Sequence, residues 1–254
     1  MTKQPIIIVG MGEMAGVFAR GFLRSGYPVY PVTREMDMQQ QAASIKAPEM
    51  VLIAVAEKDL HSVLKSLPEA WKSCVALLQN ELLPDDWQQY QLTPTVISVW
   101  FEKKKGQDAK VLIPSPAYGD QATLLVNSLK AIDIAARELK TEDELLFELV
   151  VKNVYILTTN IAGLKTAGTV SELWEKHQDF AKQVAAEVIQ LQEKLTGQSF
   201  DAEKLIDAML VAFDGDPDHN CMGRSAPARL ERALKLAEEH QLQLSTLQQI
   251  KAEA

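Results

Sequence analysis

Short β-branched runs alternate with amphipathic stretches over the first half of the chain, and this alternation predicts a mainly parallel sheet flanked by helices. Ile6–Val9 is wholly apolar, the pattern of a strand buried on both faces. Glu13–Arg24 spaces Val17, Phe18, Phe22 and Leu23 as one face of a helix, and Gly26 is placed to end it. Pro28–Val32, Val51–Val55, Val75–Leu78 and Val96–Trp100 read as further strands, with a helix from Asp59 to Leu67. Lys110–Ile113, after the turn-like Lys103–Gln107, is predicted as the return strand of a hairpin at one sheet edge.

From Thr141 the pattern changes to helix alone. Thr141-Glu-Asp-Glu144 has the form of a capping box, and the apolar run Leu145–Leu157 predicts a long, deeply buried helix. Thr169-Val-Ser-Glu172 is a second capping box, opening a helix expected to stop near Gly197. Asp201 is expected to cap a helix reaching Phe213, and Ser225 another, with Pro227 tolerated in its first turn. The expected organisation is α/β plus all-α: a Rossmann-type domain over residues 1–140, then a helical domain over residues 141–254.

Composition narrows the classes. Of 254 residues 47% are hydrophobic and 24% charged, the balance of a globular protein. A net charge of −8 argues against nucleic acid as the main partner, which requires a basic surface. Cys74 and Cys221 are far apart and lack neighbours at metal-ligand spacing, so neither a disulfide framework nor a metal site is expected. No apolar run approaches the roughly 20 residues of a membrane span. The apolar part of the N-terminus is too brief for a signal peptide, so a cytoplasmic protein with no membrane partner is expected. Asp214-Gly-Asp216-Pro-Asp218-His219 has cation-binding residue types but not the calcium-loop spacing, and reads as an interhelix loop. Trp71, Trp87, Trp100 and Trp174 read as packing residues.

The chemistry begins at Gly10-Met11-Gly12-Glu13-Met14-Ala15, a G-x-G-x-x-A run that leaves a strand and opens a helix. Gly10 permits the tight turn, Gly12 lets the backbone approach a pyrophosphate, and Ala15 lets helix and strand pack closely. The helix N-terminus offers unpaired N–H groups to phosphate oxygens. This predicts a dinucleotide site. The second strand ends in Val32-Thr33-Arg34 rather than in the acid that bonds a ribose diol. Arg34 can pair with a 2′-phosphate and Thr33 can add a hydroxyl, so NADPH is favoured over NADH, with Glu35 partly offsetting the charge.

With these residues in place, the chain resembles the ketopantoate reductase (2-dehydropantoate 2-reductase) family, in the superfamily of 6-phosphogluconate and β-hydroxyacid dehydrogenases. The glycine run and Arg34 fall on that family's cofactor positions. Leu77-Leu78-Gln79-Asn80 resembles the strand end that supplies an Asn near nicotinamide and substrate. Ala56 stands where the family has a Lys, with Lys58 two residues on as a cofactor-contact candidate. Glu148-Leu-Val-Val-Lys152-Asn-Val-Tyr-Ile-Leu-Thr-Thr-Asn160, followed by Ser171-Glu-Leu173, resembles the catalytic-Lys helix and the segment after it. The resemblance implies a Rossmann domain joined to a helical domain, with an active site in the cleft between them. It also implies NADPH-dependent reduction of a small 2-keto acid, with Lys152 as proton donor, Asn80 near the nicotinamide and Asn160 as a substrate contact.

Lys152 and Asn160 are eight residues apart and so share a helix face about 12 Å apart along the axis. Chemistry alone leaves Lys152 either a general acid or a lysine that snorkels to the surface or pairs with a carboxylate. Two positions depart from the family pattern: Ile156 replaces an Asn, and Met222–Arg229 lacks the expected Glu. They keep open a non-catalytic NADP-binding sensor. A β-hydroxyacid dehydrogenase is also open, although Thr141–Val151 lacks the glycine-rich segment such enzymes carry. The apolar C-terminal helices allow a homodimer.

Overall fold

Strand β1 (Ile6–Val9) is wholly buried, and in the computed structural model, which describes residues 3–253, it is flanked on both sides by parallel neighbours. Ile6 is level with Val29 of β2 (Val29–Val32) and with Met50 of β3 (Met50–Ile53). The sheet continues through β4 (Val75–Leu77) and β5 (Thr95–Ile97), all parallel. Strand order reverses between β2 and β3, on either side of β1. That is the topological switch point at which open α/β sheets form a crevice beyond their strand ends.

Between the strands lie α1 (Glu13–Arg24), α2 (Met38–Ser44), α3 (Leu60–Lys65) and α4 (Asp85–Gln88). Helix α1 buries Ala15, Val17, Phe18 and Phe22 against Ile6 and Ile8 of β1, and Phe18 meets Phe22 and Phe101 with ring centroids 6.2 and 6.1 Å apart. Gly26, at φ +79°, turns the chain out of this helix as the sequence predicts.

The expected edge hairpin is placed differently. β6 (Phe101–Glu102) and β7 (Lys110–Val111) pair only with each other, and the main sheet gains two strands the pattern does not announce. β8 (Ser115–Tyr118) runs antiparallel to β5, and β9 (Ala136–Glu138) lies parallel to β8, with α5 (Ala122–Lys130) between them. Pro116 disguises β8, since proline cannot donate to a ladder. Here it needs only to accept: Ser115 N–H bonds Ala135, Leu139 N–H bonds Ala117, and the Pro116 carbonyl takes Ser98 N–H at 2.9 Å.

Helix α6 (Glu142–Thr166) spans the boundary between two compact units, Met1–Glu148 and Leu149–Ala254. The boundary lies inside the helix rather than before it at residue 141. The reason is that its first turns are tied to the sheet unit: Glu144 accepts Lys140 N–H at 2.7 Å, and Glu148 pairs with Arg137. The Thr141 cap is therefore half a capping box, with Thr141 Oγ1 accepting Glu144 N–H at 3.1 Å while Glu144 reaches Lys140 instead of Thr141. By length and apolar composition α6 could cross a membrane, which the reading of apolar runs passes over; 78% of its most apolar stretch is buried within the protein, as in a core helix.

The second unit continues with α7 (Val170–Lys176), α8 (Gln178–Thr196), α9 (Ala202–Gly215), α10 (Ala226–Glu239) and α11 (Ser245–Glu253). Thr169 and Glu172 form the full capping box expected, and Asp201 caps α9 through Glu203 and Lys204 N–H. The single helix expected from Thr169 to Gly197 breaks at His177, within an exposed polar run that no buried side chain pins. Helix α11, also not anticipated, is capped from another helix. Glu187 of α8 accepts Thr246 N–H at 2.8 Å, Leu247 N–H at 3.0 Å and the Ser245 hydroxyl at 3.2 Å. Glu187→Ala is expected to cost about 1–2 kcal/mol, the range for a lost N-cap, read as a lowered urea midpoint. An unchanged midpoint would show that α11 contributes nothing to the cooperative fold.

Candidate functional site

The crevice at the switch point is a cleft of about 760 Å³ beyond the ends of β1, β2 and β3. Val9, Gly10, Met11 and Gly12 supply one wall, Val32 to Glu35 another, and Ala54 to Ala56 with Asp59 a third. Two bonds carry the sheet one residue past its strand ends, Gly10 N–H to Val32 O at 2.9 Å and Ala54 N–H to Val9 O at 2.8 Å.

Gly10 and Gly12 are glycines for different reasons. Gly10 sits at φ +92°, and a Cβ there would lie 2.8 Å from the Ala54 carbonyl oxygen, so both conformation and packing exclude a side chain. Gly12 has ordinary extended geometry, at φ −83° and ψ −174°, as N-cap of α1. Around its absent Cβ no heavy atom lies within 4 Å, so the backbone there faces open space in the cleft. With no side chain at the cap, the first-turn N–H groups of α1 are left for an external acceptor, the arrangement that suits a phosphate.

The other residues of the run divide. The half-exposed Met11 lines the cleft. Glu13 turns to Lys103, Nζ–Oε2 3.5 Å, Met14 packs against the core, and Ala15 is fully buried beneath the sheet. Glu13 and Met14 can therefore serve a ligand only through their main chain, and Ala15 only by letting α1 approach β1.

At the end of β2 both predicted side chains reach the cleft, each with an acid beside it. The Thr33 hydroxyl donates to Glu35 Oε2 at 2.8 Å, and that bond, ahead of the nearby Arg34 charge, holds the Glu35 carboxyl below its ordinary range. Arg34 Nη2 lies 3.2 Å from Asp59 Oδ2, with the arginine side chain 86% exposed. Arg34 is thus neither buried nor merely solvated, but held across the cleft by a residue the sequence reading did not single out.

Two candidates fall outside the cleft wall. Lys58 lies exposed on the short 3₁₀ turn Glu57–Asp59, and the wall there is made by Ala56 and Asp59 on either side of it. Asn80 donates to Glu57 Oε1 at 3.0 Å, which ties the loop after β4 to the turn after β3. Its neighbour Gln79 was missed and does more to position these ends. Nearly buried, Gln79 donates to Ile53 O at 2.7 Å and Val55 O at 3.2 Å.

On α6 the half-buried Lys152 has its ammonium 5.7 Å from the Tyr155 ring centroid. Asn160 is 8% exposed and its amide is committed. Nδ2 donates to Ile156 O at 2.9 Å, while Oδ1 accepts from Arg229 Nη1 at 3.1 Å and Gly223 N at 3.4 Å. Asn160 is accordingly a joint between α6 and the segment entering α10. Ser225 belongs to the same cluster: it makes no side-chain cap, and its hydroxyl accepts from Arg229 at 2.8 Å. Arg229 reaches it because it lies one turn on, which is why the expected N-cap does not form.

The acidic loop is put to structural use. Asp216 is buried with His219 Nδ1 3.6 Å from its carboxylate, and the His219 carbonyl accepts Val170 N–H at the start of α7. Burial pushes the Cys74 and Cys221 thiols up to about 11, with Glu49 and Glu172 adding to the respective shifts, so neither is an activated nucleophile.

No protein-family model matches the sequence, and no curated protein does. Solved structures match over nearly the whole chain. A ketopantoate reductase of the PanE/ApbA family from Ralstonia eutropha superposes with a TM-score of 0.70 at 13% identity, covering 98% of this chain and 96% of that one. A probable 2-dehydropantoate 2-reductase from Bacillus subtilis gives 0.68 at 19% identity, covering 98% of each chain. D-mandelate dehydrogenase, in a ternary structure with NADH and anilino(oxo)acetate, gives 0.67 at 11%, covering 98% and 96%. The chain therefore has the ketopantoate reductase fold, a Rossmann-type sheet unit followed by helices.

Proposed function

We propose that this protein is a divergent relative of the ketopantoate reductases that binds NADPH and reduces a small 2-keto acid. The observation that carries the reading is the cleft at the switch point, with open backbone at Gly12 and a guanidinium at its ribose end. Gly10, Met11 and Gly12 with the first N–H groups of α1 would hold the pyrophosphate, and Thr33 and Arg34 the 2′-phosphate. NADPH held there would supply the hydride that reduces the carbonyl carbon of the substrate. Lys152 would give its proton to the carbonyl oxygen, leaving a hydroxyl, and would be reprotonated from water. Asn80, through Glu57, would set the loop beside the nicotinamide. Asn160, its amide already engaged, would hold Gly223 and Arg229 in place.

The test is oxidation of NADPH by the purified protein across a panel of 2-keto acids that includes ketopantoate, with NADPH binding measured in parallel. Turnover of any member is the expected result. Binding without turnover across the panel would overturn the enzymatic reading in favour of a cofactor sensor, the reading that Ile156 and the carboxylate-free Met222–Arg229 segment support. Absence of binding would overturn both.

A further inference from the structure

The ribose end of the cleft carries more negative charge than recognition of a 2′-phosphate requires. Among the described residues its wall holds one cation, Arg34, and two carboxylates, Glu35 and Asp59. Each group assigned to the phosphate is already engaged by an acid, Thr33 by Glu35 at 2.8 Å and Arg34 by Asp59 at 3.2 Å. Asp59 occupies the N-cap position of α3, yet its carboxylate makes no capping bond and reaches to Arg34 instead. The turn does not depend on that carboxylate, because the Ser62 hydroxyl bonds the Asp59 carbonyl at 2.9 Å.

We propose that Asp59 is a positioning residue that sets the cofactor preference, holding Arg34 when NADH is bound and surrendering it to the 2′-phosphate of NADPH. This rests on the reading of the cleft as an NAD(P)H site. A guanidinium fork satisfies one carboxylate or one phosphate face well, not both at once. A 2′-phosphate must therefore displace Asp59 from Arg34, whereas a cofactor without that phosphate leaves the Arg34–Asp59 pair in place. Because the Arg34–Asp59 pair is exposed it is weak, so displacement is easy and the two cofactors are separated by about tenfold or less. The site serves both cofactors, with preference tuned by one ion pair.

The experiment is a fluorescence titration of the full protein with NADPH and with NADH, for wild type, Asp59→Asn, Asp59→Glu, Arg34→Met and the Asp59→Asn/Arg34→Met double variant. Asp59→Asn is expected to tighten NADPH about fivefold while leaving NADH within about twofold, a change of ratio that altered stability would not produce. Asp59→Glu should keep the wild-type ratio. In the Arg34→Met background the Asp59→Asn gain should nearly vanish; its persistence in full would mean that Asp59 acts through its own charge, overturning the positioning role. An unchanged NADPH/NADH ratio in Asp59→Asn, with NADPH weakened by Arg34→Met, would overturn the proposal and leave the cofactor reading standing. Wild type that binds neither cofactor would overturn both, and NADPH binding indifferent to Arg34→Met would remove Arg34 from the site and the proposal with it.

Discussion

Gly12→Asp is expected to abolish binding of NADPH and NADH alike while leaving the protein at least as stable. The two effects separate because Gly12 has extended backbone angles that any residue can adopt, and a Cβ there meets nothing within 4 Å. Aspartate is moreover a better N-cap than glycine, so α1 gains a bond from the new carboxylate to its first turn. The same carboxylate stands where a pyrophosphate would approach, and it takes up the N–H groups that would bind it. At a separation near 4 Å, and with the screening usual for a protein surface, like charges repel by about 4 kcal/mol, so a loss of a hundredfold or more is expected. Cofactor titration beside a thermal melt reads both quantities. Retained affinity would place the phosphates elsewhere and remove the structural basis for the cofactor assignment. Gly10 could not serve this test, because its φ of +92° and the Ala54 carbonyl would make any replacement a folding defect.

The contrast between these two glycines shows how far the sequence is legible. The G-x-G-x-x-A run, its strand and its helix were readable because they are local: the spacing of Gly10, Gly12 and Ala15 encodes a turn, an approach and a packing contact within ten residues. Arg34 was readable because it ends a strand of known position. Asp59 was not, since its meaning lies in reaching a residue 25 positions away across the sheet. Gln79 and Glu187 were hidden for the same reason: each satisfies backbone groups of distant segments, and no periodicity marks such a residue. β8 and β9 were lost to their composition, Pro116 in one and the sequence Ala-Arg-Glu in the other, which sheet context tolerates and propensity does not. Lys58 shows the opposite limit. Its distance along the chain fitted a site, but the 3₁₀ turn presents Ala56 and Asp59 to the cleft in its place.

Lys152→Met is expected to lower kcat on whichever 2-keto acid is turned over by about 10²- to 10⁴-fold, the range for loss of a positioned general acid. Methionine is chosen because Lys152 is half-buried beside the almost fully buried Tyr155, where its aliphatic stem contributes packing. The substitution keeps that apolar stem and removes only the ammonium, so the melting midpoint should move little. NADPH affinity should stay within about twofold, because the cofactor cleft is built from the ends of β1, β2 and β3 and not from α6. The neighbouring positions sharpen the choice of Lys152. Asn153 is buried and spends its amide on Gln192 at 2.9 Å, and Asn160 spends both of its amide atoms inside the protein. Neither amide is open to a substrate, so within this stretch the proposed mechanism gives the proton to Lys152. Wild-type turnover in Lys152→Met would reduce Lys152 to a snorkelling side chain. A fall in kcat with unchanged binding and stability would assign it the proton.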